Sequence, residues 1–154
     1  MSKLSSAFKF NDSIRTKSFE IKGNKFTVRV PLASEKAEID KSTFDISEDE
    51  VNVRYKEMTD VIRESLLSQP VDGIEITEND VIINGSSSRD NVKSLLRMER
   101  KIVKYFHLLV PDDGSTVDFT YKDIDEELPL QLQLEIVEKI SEAIEPNYRE
   151  ARKN

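Results

Sequence analysis

The sequence predicts an α+β fold: an N-terminal antiparallel β-hairpin, a body of about three amphipathic helices and a second small hairpin. Three observations carry this. Phe19 and Ile21, then Phe26, Val28 and Val30, alternate with polar residues, the period of two that half-buried strands require. Gly23-Asn24 lies between the two runs, and both residue types tolerate the positive φ of the primed turns that close two-residue hairpins. Farther along, apolar residues recur at three- and four-residue spacing in three long segments, closed by Pro70, Pro111 and Pro146.

Taken in order, residues 1–17 are polar and read as loosely held, with a short extra strand at Phe8 and Phe10. The hairpin covers 18–31, and Pro31 ends its second strand. Residues 34–46 read as a connector with one helical turn. Ser47 and Glu50 have the spacing of a capping box, in which the hydroxyl accepts from the third helical N–H and the carboxylate reaches back. Glu48, Asp49 and Glu50 also suit the positive end of a helix dipole. The helix they open spans 47–69, with Val51, Tyr55, Met58, Ile62 and Leu66 on one stripe and Val61 beside them. Two apolar runs around Glu78-Asn79-Asp80 predict the small hairpin at 73–84, and Gly85 to Ser88 is a joint. Ser87 with Asp90 caps a helix over 89–109, followed by a turn at Asp112-Asp113-Gly114. Val117, Phe119 and Tyr121 alternate as a short strand or extended piece. Asp123 to Leu128 forms an acidic turn, and Pro129 suits the first position of the closing helix, 129–145.

With 154 residues the chain reads as one domain with its own core. Hydrophobic residues make up 37% and charged residues 34%, so the core is lean and the surface large. The absence of cysteine excludes disulfides, thiolate nucleophiles and cysteine metal sites. Met1 to Phe10 lacks the apolar stretch of a secretory signal, and no apolar run approaches the roughly 20 residues of a membrane helix. The expectation is a soluble intracellular protein. The net charge of −7 is laid out in blocks: +5 over 1–30, −9 over 31–86, +4 over 87–110, −9 over 111–146 and +2 over 147–154. Such blocks neutralise one another within a fold or steer a charged partner.

No grouping of residues that chemistry usually needs stands out. His107 is the only histidine and lies at the end of an apolar helix, a place for packing or capping. Asp123, Asp125, Glu126 and Glu127 are dense, but they lack the spacing and central glycine of a calcium loop. Gly85 to Ser88 lacks the pattern of a phosphate loop. The expectation is a protein without catalytic activity, metal or cofactor. On the helix at 89–109, Lys93, Arg97, Arg100, Lys101 and Lys104 share an arc of about 100°. That stripe pairs within the chain, docks on a protein partner or meets nucleic-acid phosphates. Glu99 projects into the apolar face of the same helix, so it should meet a basic residue or lie at a subunit contact. In the last helix the apolar arc is wider than one neighbour covers. Ile136 and Ile140 are assigned to the core, and Leu130, Leu134, Val137 and Ile144 to a surface for a second copy or a client helix.

The order of features resembles the tail assembly chaperones of long-tailed bacteriophages. The resemblance is carried by Phe19-Glu-Ile-Lys-Gly-Asn-Lys-Phe-Thr-Val-Arg-Val-Pro31, by the helical body at Val92 to Leu109, and by Phe119-Thr-Tyr-Lys-Asp-Ile-Asp-Glu-Glu-Leu-Pro-Leu130. It covers 18–31 and 88–145; residues 71–88 depart from it. It implies a non-enzymatic chaperone of the host cytoplasm, absent from the mature virion, that self-associates, binds the tape measure protein and helps recruit tail tube subunits. The alternative from another class is a small regulatory or adaptor module whose basic helix docks on an acidic protein or nucleic acid.

Overall fold

A computed structural model describes residues 3–146 and has the α+β architecture. The order is α1 (Lys3–Phe8), β1 (Thr16–Ile21), β2 (Asn24–Arg29), α2 (Ala33–Phe44), α3 (Glu48–Ser68), β3 (Ile74–Ile76), β4 (Val81–Ile83), β5 (Ser86–Ser87), α4 (Ser88–Phe106), α5 (Tyr121–Glu127) and α6 (Leu130–Ile144). The chain divides into two compact units. The first is formed by residues up to Ile39 and from Ile102 onward, the second by Asp40–Lys101.

In the first unit β1 and β2 pair antiparallel with Ile21 opposite Asn24, so the turn is Lys22-Gly23 and not Gly23-Asn24. Both turn residues have positive φ, 49° and 81°, as a type I′ turn requires. The reason lies in the pairing. This register sets Phe19 opposite Phe26, with stacked rings 5.3 Å apart, whereas a turn at Gly23-Asn24 would set Phe19 against Val28. Aromatic cross-strand pairs are among the stronger contacts in a hairpin. The outer edge of β2 is also occupied: Arg29 N–H donates to Leu108 O and Val110 N–H to Thr27 O, both at 2.8 Å. That pairing ends α4 at Phe106, three residues before the expected position. Helix α6 packs on both strands. Its Ile136, Val137, Ile140 and Ile144 are buried in this unit, as are Ile21, Val28, Ile102, Phe106 and Ile124.

Four expectations for this unit need correction. No strand forms at Phe8 and Phe10: Lys3–Phe8 is helical, Lys9 takes a positive φ of 52°, and the two rings stack 5.6 Å apart. The connector at 34–46 is a three-turn helix, α2, because Glu35 accepts from Leu32 N–H at 2.6 Å and pairs with Arg15 at 2.8 Å and Arg29 at 3.2 Å. Those pairs join the basic block of 1–30 to the acidic block after it. Residues 115–120 form no strand, and Tyr121 instead opens α5, whose capping box is Thr120 with Asp123. Pro129 stands at the N-cap of α6 rather than at its first helical position, and the cap has no side-chain bond.

In the second unit α3 begins where the sequence placed it. Ser47 Oγ accepts from Glu50 N–H at 3.2 Å, and Glu50 accepts from Ser47 N–H at 2.9 Å. Val51, Tyr55 and Val92 form the core, with Ile46 and Leu96 against them. Beyond Tyr55 the expected stripe is covered only in part: Met58, Val61 and Ile62 are exposed, Leu66 is half-buried beside Ile74 and Ile76, and the buried position is Thr59. The small hairpin at 73–84 is present as β3 and β4, and β5 adds a third antiparallel strand. Its tip is clamped on two sides. Arg63 donates to Thr77 O and to Glu78 O, and Arg89 donates to Asn79 O and lies 4.2 Å above the Tyr55 ring.

Candidate functional site

The basic stripe of α4 is largely engaged inside the second unit. Arg100 donates to Asp45 O at 2.7 Å and Ser42 O at 3.2 Å and pairs with Glu50. Lys93 pairs with Glu48 at 3.3 Å, and the Arg97 guanidinium lies 5.4 Å from the Phe44 ring centroid. Lys101 is exposed, and Lys104, in the first unit, is half-buried beside Arg29, Glu35 and His107. The acids that hold Lys93 and Arg100 come from the block of 31–86. Ser47 N–H, opposed by desolvation and helped by the Ser47 hydroxyl and Arg100, holds the Glu50 carboxyl below its ordinary range. Asp80 is also held low: desolvation pushes it up, but the Ser87 hydroxyl, the Val81 and Arg89 N–H groups and the Arg89 charge outweigh it.

Glu99 is buried and paired. Its two oxygens accept from the two terminal nitrogens of Arg54, each at 2.9 Å. This fork-to-fork geometry is the strong form of a carboxylate pair. Sequence reasoning placed Glu99 but missed Arg54. The signal was present: at 100° per residue Arg54 flanks the Val51–Tyr55 stripe, a cation beside one apolar face matching an acid within another.

The proposed partner surface on α6 is narrower than expected. Leu130 and Leu134 are each 43% exposed, but Val137 and Ile144 are buried. The correction follows from α6 resting on two strands at once, which covers more of its arc than one neighbour would. The larger open apolar stripe is on α3, where Met58, Val61 and Ile62 occupy one side of the helix.

The first unit also carries an open groove of about 500 Å³ with Phe26, Phe106, Leu109, Val110, Val117 and Phe119 along it, and with Lys25, Asp112 and Asp113 as its charged lining. A second hollow of about 370 Å³ shares Phe106 and Phe119 and adds Ile124, Leu128, Asp123 and Glu127. His107 donates from Nε2 to Phe119 O at 2.9 Å, which fixes the tautomer and anchors the segment. Asp113 is held below its ordinary range by hydrogen bonds from Ser115, and Asp123 by those from Thr120, N–H first. Of the acidic turn, Asp123 is engaged by Thr120, and Asp125 accepts from Gln133 Nε2 at 3.2 Å. Gln133, wholly buried, donates also to Leu128 O at 2.8 Å. Among the described residues no cluster of three or more His, Asp or Glu is placed to hold a metal ion, and no helix is long and apolar enough to cross a membrane. Comparison with known proteins finds no matching family model, no similar curated protein and no similar solved structure.

Proposed function

We propose that this chain is a non-enzymatic tail assembly chaperone of the long-tailed bacteriophage type, which binds the tape measure protein and helps recruit tail tube subunits. Two things support the reading. One is the order of features quoted above: hairpin, helical body, acidic turn and closing helix. The other, which carries it, is the apolar surface left open on two helices, Met58, Val61 and Ile62 on α3 and Leu130 and Leu134 on α6. Stripes one helical turn long are what an amphipathic or apolar client helix docks against. The adaptor reading is weaker, because Lys93, Arg97 and Arg100 already have partners in the chain.

The test is to look beside this gene for one that encodes a long helical tail protein, as this reading requires, and to co-express the two. The client is expected to become soluble and to co-elute with the chain. Leu134→Asp or Val61→Asp should reduce that yield while leaving the chain's own circular dichroism melt in place. Equal client solubility with and without the chain would sink the proposal.

A further inference from the structure

Asn84 and Gly85 form the two-residue turn that joins β4 to β5: Ile83 lies opposite Ser86, and the turn residues have φ of 50° and 83°. Positive φ at both positions marks a type I′ turn, in which Asn-Gly is a favoured pair. The same pair is chemically labile. Glycine has no side chain to hinder attack by its own nitrogen on the preceding carboxamide, and Asn84 is the only asparagine of the chain that precedes a glycine. Asn84 is also exposed. The ladder beside the turn is short, with Ile83 paired to Ser86 and Ile82 to Ser87. Short, exposed ladders open at low cost in free energy.

From this we infer that Asn84 is a site of spontaneous deamidation, and that its conversion to isoaspartate unlatches the start of α4. The Gly85 nitrogen gives up its proton to hydroxide and adds to Asn84 Cγ. Ammonia leaves with a proton taken from water, and a cyclic imide remains. Water then opens the imide. Cleavage at the side-chain carbonyl gives aspartate, and cleavage at the main-chain carbonyl gives isoaspartate, with the chain rerouted through the side-chain carbonyl. No oxidant or reductant takes part. The primed geometry of the closed turn fixes ψ at Asn84 and keeps the Gly85 nitrogen from the ring-closing position, so reaction proceeds through the opened turn. Aspartate can refit that turn, but isoaspartate lengthens the main chain by one methylene, for which a two-residue turn has no place. The bond from Asn84 N–H to Gly73 O, at 2.7 Å, and the pairing of Ser87 with Ile82 are lost with the turn. Ser87 ties this corner to the helix. Its Oγ donates to Asp80 and accepts from Asp90 N–H at 3.2 Å, while Asp80 Oδ1 accepts from Arg89 N–H at 3.2 Å. These contacts cap α4, so losing the turn frees its first N–H groups.

Ageing the purified chain in warm, mildly alkaline buffer and mapping it by tryptic mass spectrometry tests this. The peptide spanning residues 64–89 should gain the mass that distinguishes a carboxyl from a carboxamide, with fragment ions placing the change at Asn84 and not at Asn79. Isoaspartyl methyltransferase should then label residue 84 rather than Asp72, which also precedes a glycine. Conversion should be about tenfold slower in the folded chain than in urea, as a cheap local opening requires, and should quicken with pH in both. In the isoaspartate fraction, amide exchange at Arg89 and Asp90 should be faster than in the unaged chain. Asn84→Gly keeps the positive φ but has no carboxamide, so it should age without the mass gain and retain its exchange protection. Asn84→Asp, measured fresh, should retain it too, since plain aspartate fits the turn. A folded chain in which Asn84 stays intact while the urea-unfolded chain converts overturns the inference. So does earlier conversion at Asn79, or an isoaspartate fraction with unchanged exchange at Arg89 and Asp90. A loss of protection in aged Asn84→Gly equal to that of the unaltered chain also overturns it, because the change would not then come from this residue.

Discussion

Helices α3 and α6 repeat apolar residues at the same spacing, but their burial differs. On α6, Ile136 is 2%, Ile140 0% and Ile144 9% exposed. On α3, Val51 is 0% and Tyr55 5% exposed, while Met58 is 47%, Ile62 49% and Val61 78% exposed. The difference lies in what each helix meets. Two strands pack on α6, whereas α3 has Val92 and Leu96 at its first half and only the three-residue β3 close to it as a strand. Helical periodicity decides where a stripe lies. Whether it is covered depends on partners far away in sequence, and in α3 the cover leaves out Met58, Val61 and Ile62.

The sharpest way to break this comparison is to place one charge on each stripe. Ile140→Asp puts a carboxylate at a position with no exposure, so a loss of about 4 kcal/mol or more is expected and the first unit should unfold. Val61→Asp changes a residue already in water, and its cost should stay within about 0.5 kcal/mol. Urea titrations followed by circular dichroism decide the matter. Similar midpoints for the two variants would mean that the stripes are covered alike.

A smaller effect is expected where α3 is held by charge rather than by apolar cover. Glu99→Leu removes the fork-to-fork partner of Arg54 and leaves the guanidinium, whose side chain is 31% exposed, with the longer pair to Glu57 at 3.9 Å. The cost should be about 2 kcal/mol, less than for a fully buried pair because water reaches the arginine. Adding Arg54→Leu should recover most of it, since two facing leucines leave no charge unpaired. A double-mutant coupling below about 0.5 kcal/mol would show that the pair contributes little to α3.

Local signals were legible in the sequence to the extent that local chemistry decides them. The Ser47–Glu50 box, the alternation around the hairpin and the stripe of α6 each need only neighbours along the chain, and each element forms where expected. The hairpin turn was misplaced by one residue because Gly-Asn is a good local turn, while the register was decided across the strands by Phe19 and Phe26. Helix α2 was missed because its first turn is held by Arg15 and Arg29 from the hairpin. On α6 the exposure of Leu130 and Leu134 was legible and the burial of Val137 and Ile144 was not, because the helix packs on strands more than a hundred residues earlier. The groove around Phe119 was not legible at all, since Phe26, Phe106 and Phe119 meet only in the fold.

The smallest effect concerns how the two helices start. The α3 start depends on an ionised side chain: Glu50 accepts from Ser47 N–H and pairs with Arg100, and Ser47 N–H is the main reason its carboxyl titrates below the ordinary range. The α6 start, at Pro129, has no side-chain cap. A carboxylate whose pKa is lowered on folding contributes stability above its unfolded pKa, about 4.3 for glutamate, and loses that contribution as pH falls through the folded value. Amide exchange at Glu50 and Val51 should therefore quicken, relative to its intrinsic rate, as pH drops below about 4. The first turn of α6 should show no such step of its own. Glu50→Gln should flatten the α3 step, and Ser47→Ala should cost about 1 kcal/mol near neutral pH by removing the other half of the box. If Glu50→Gln leaves the acid step intact, the step belongs to another carboxylate of the second unit, with Asp80 the first to test.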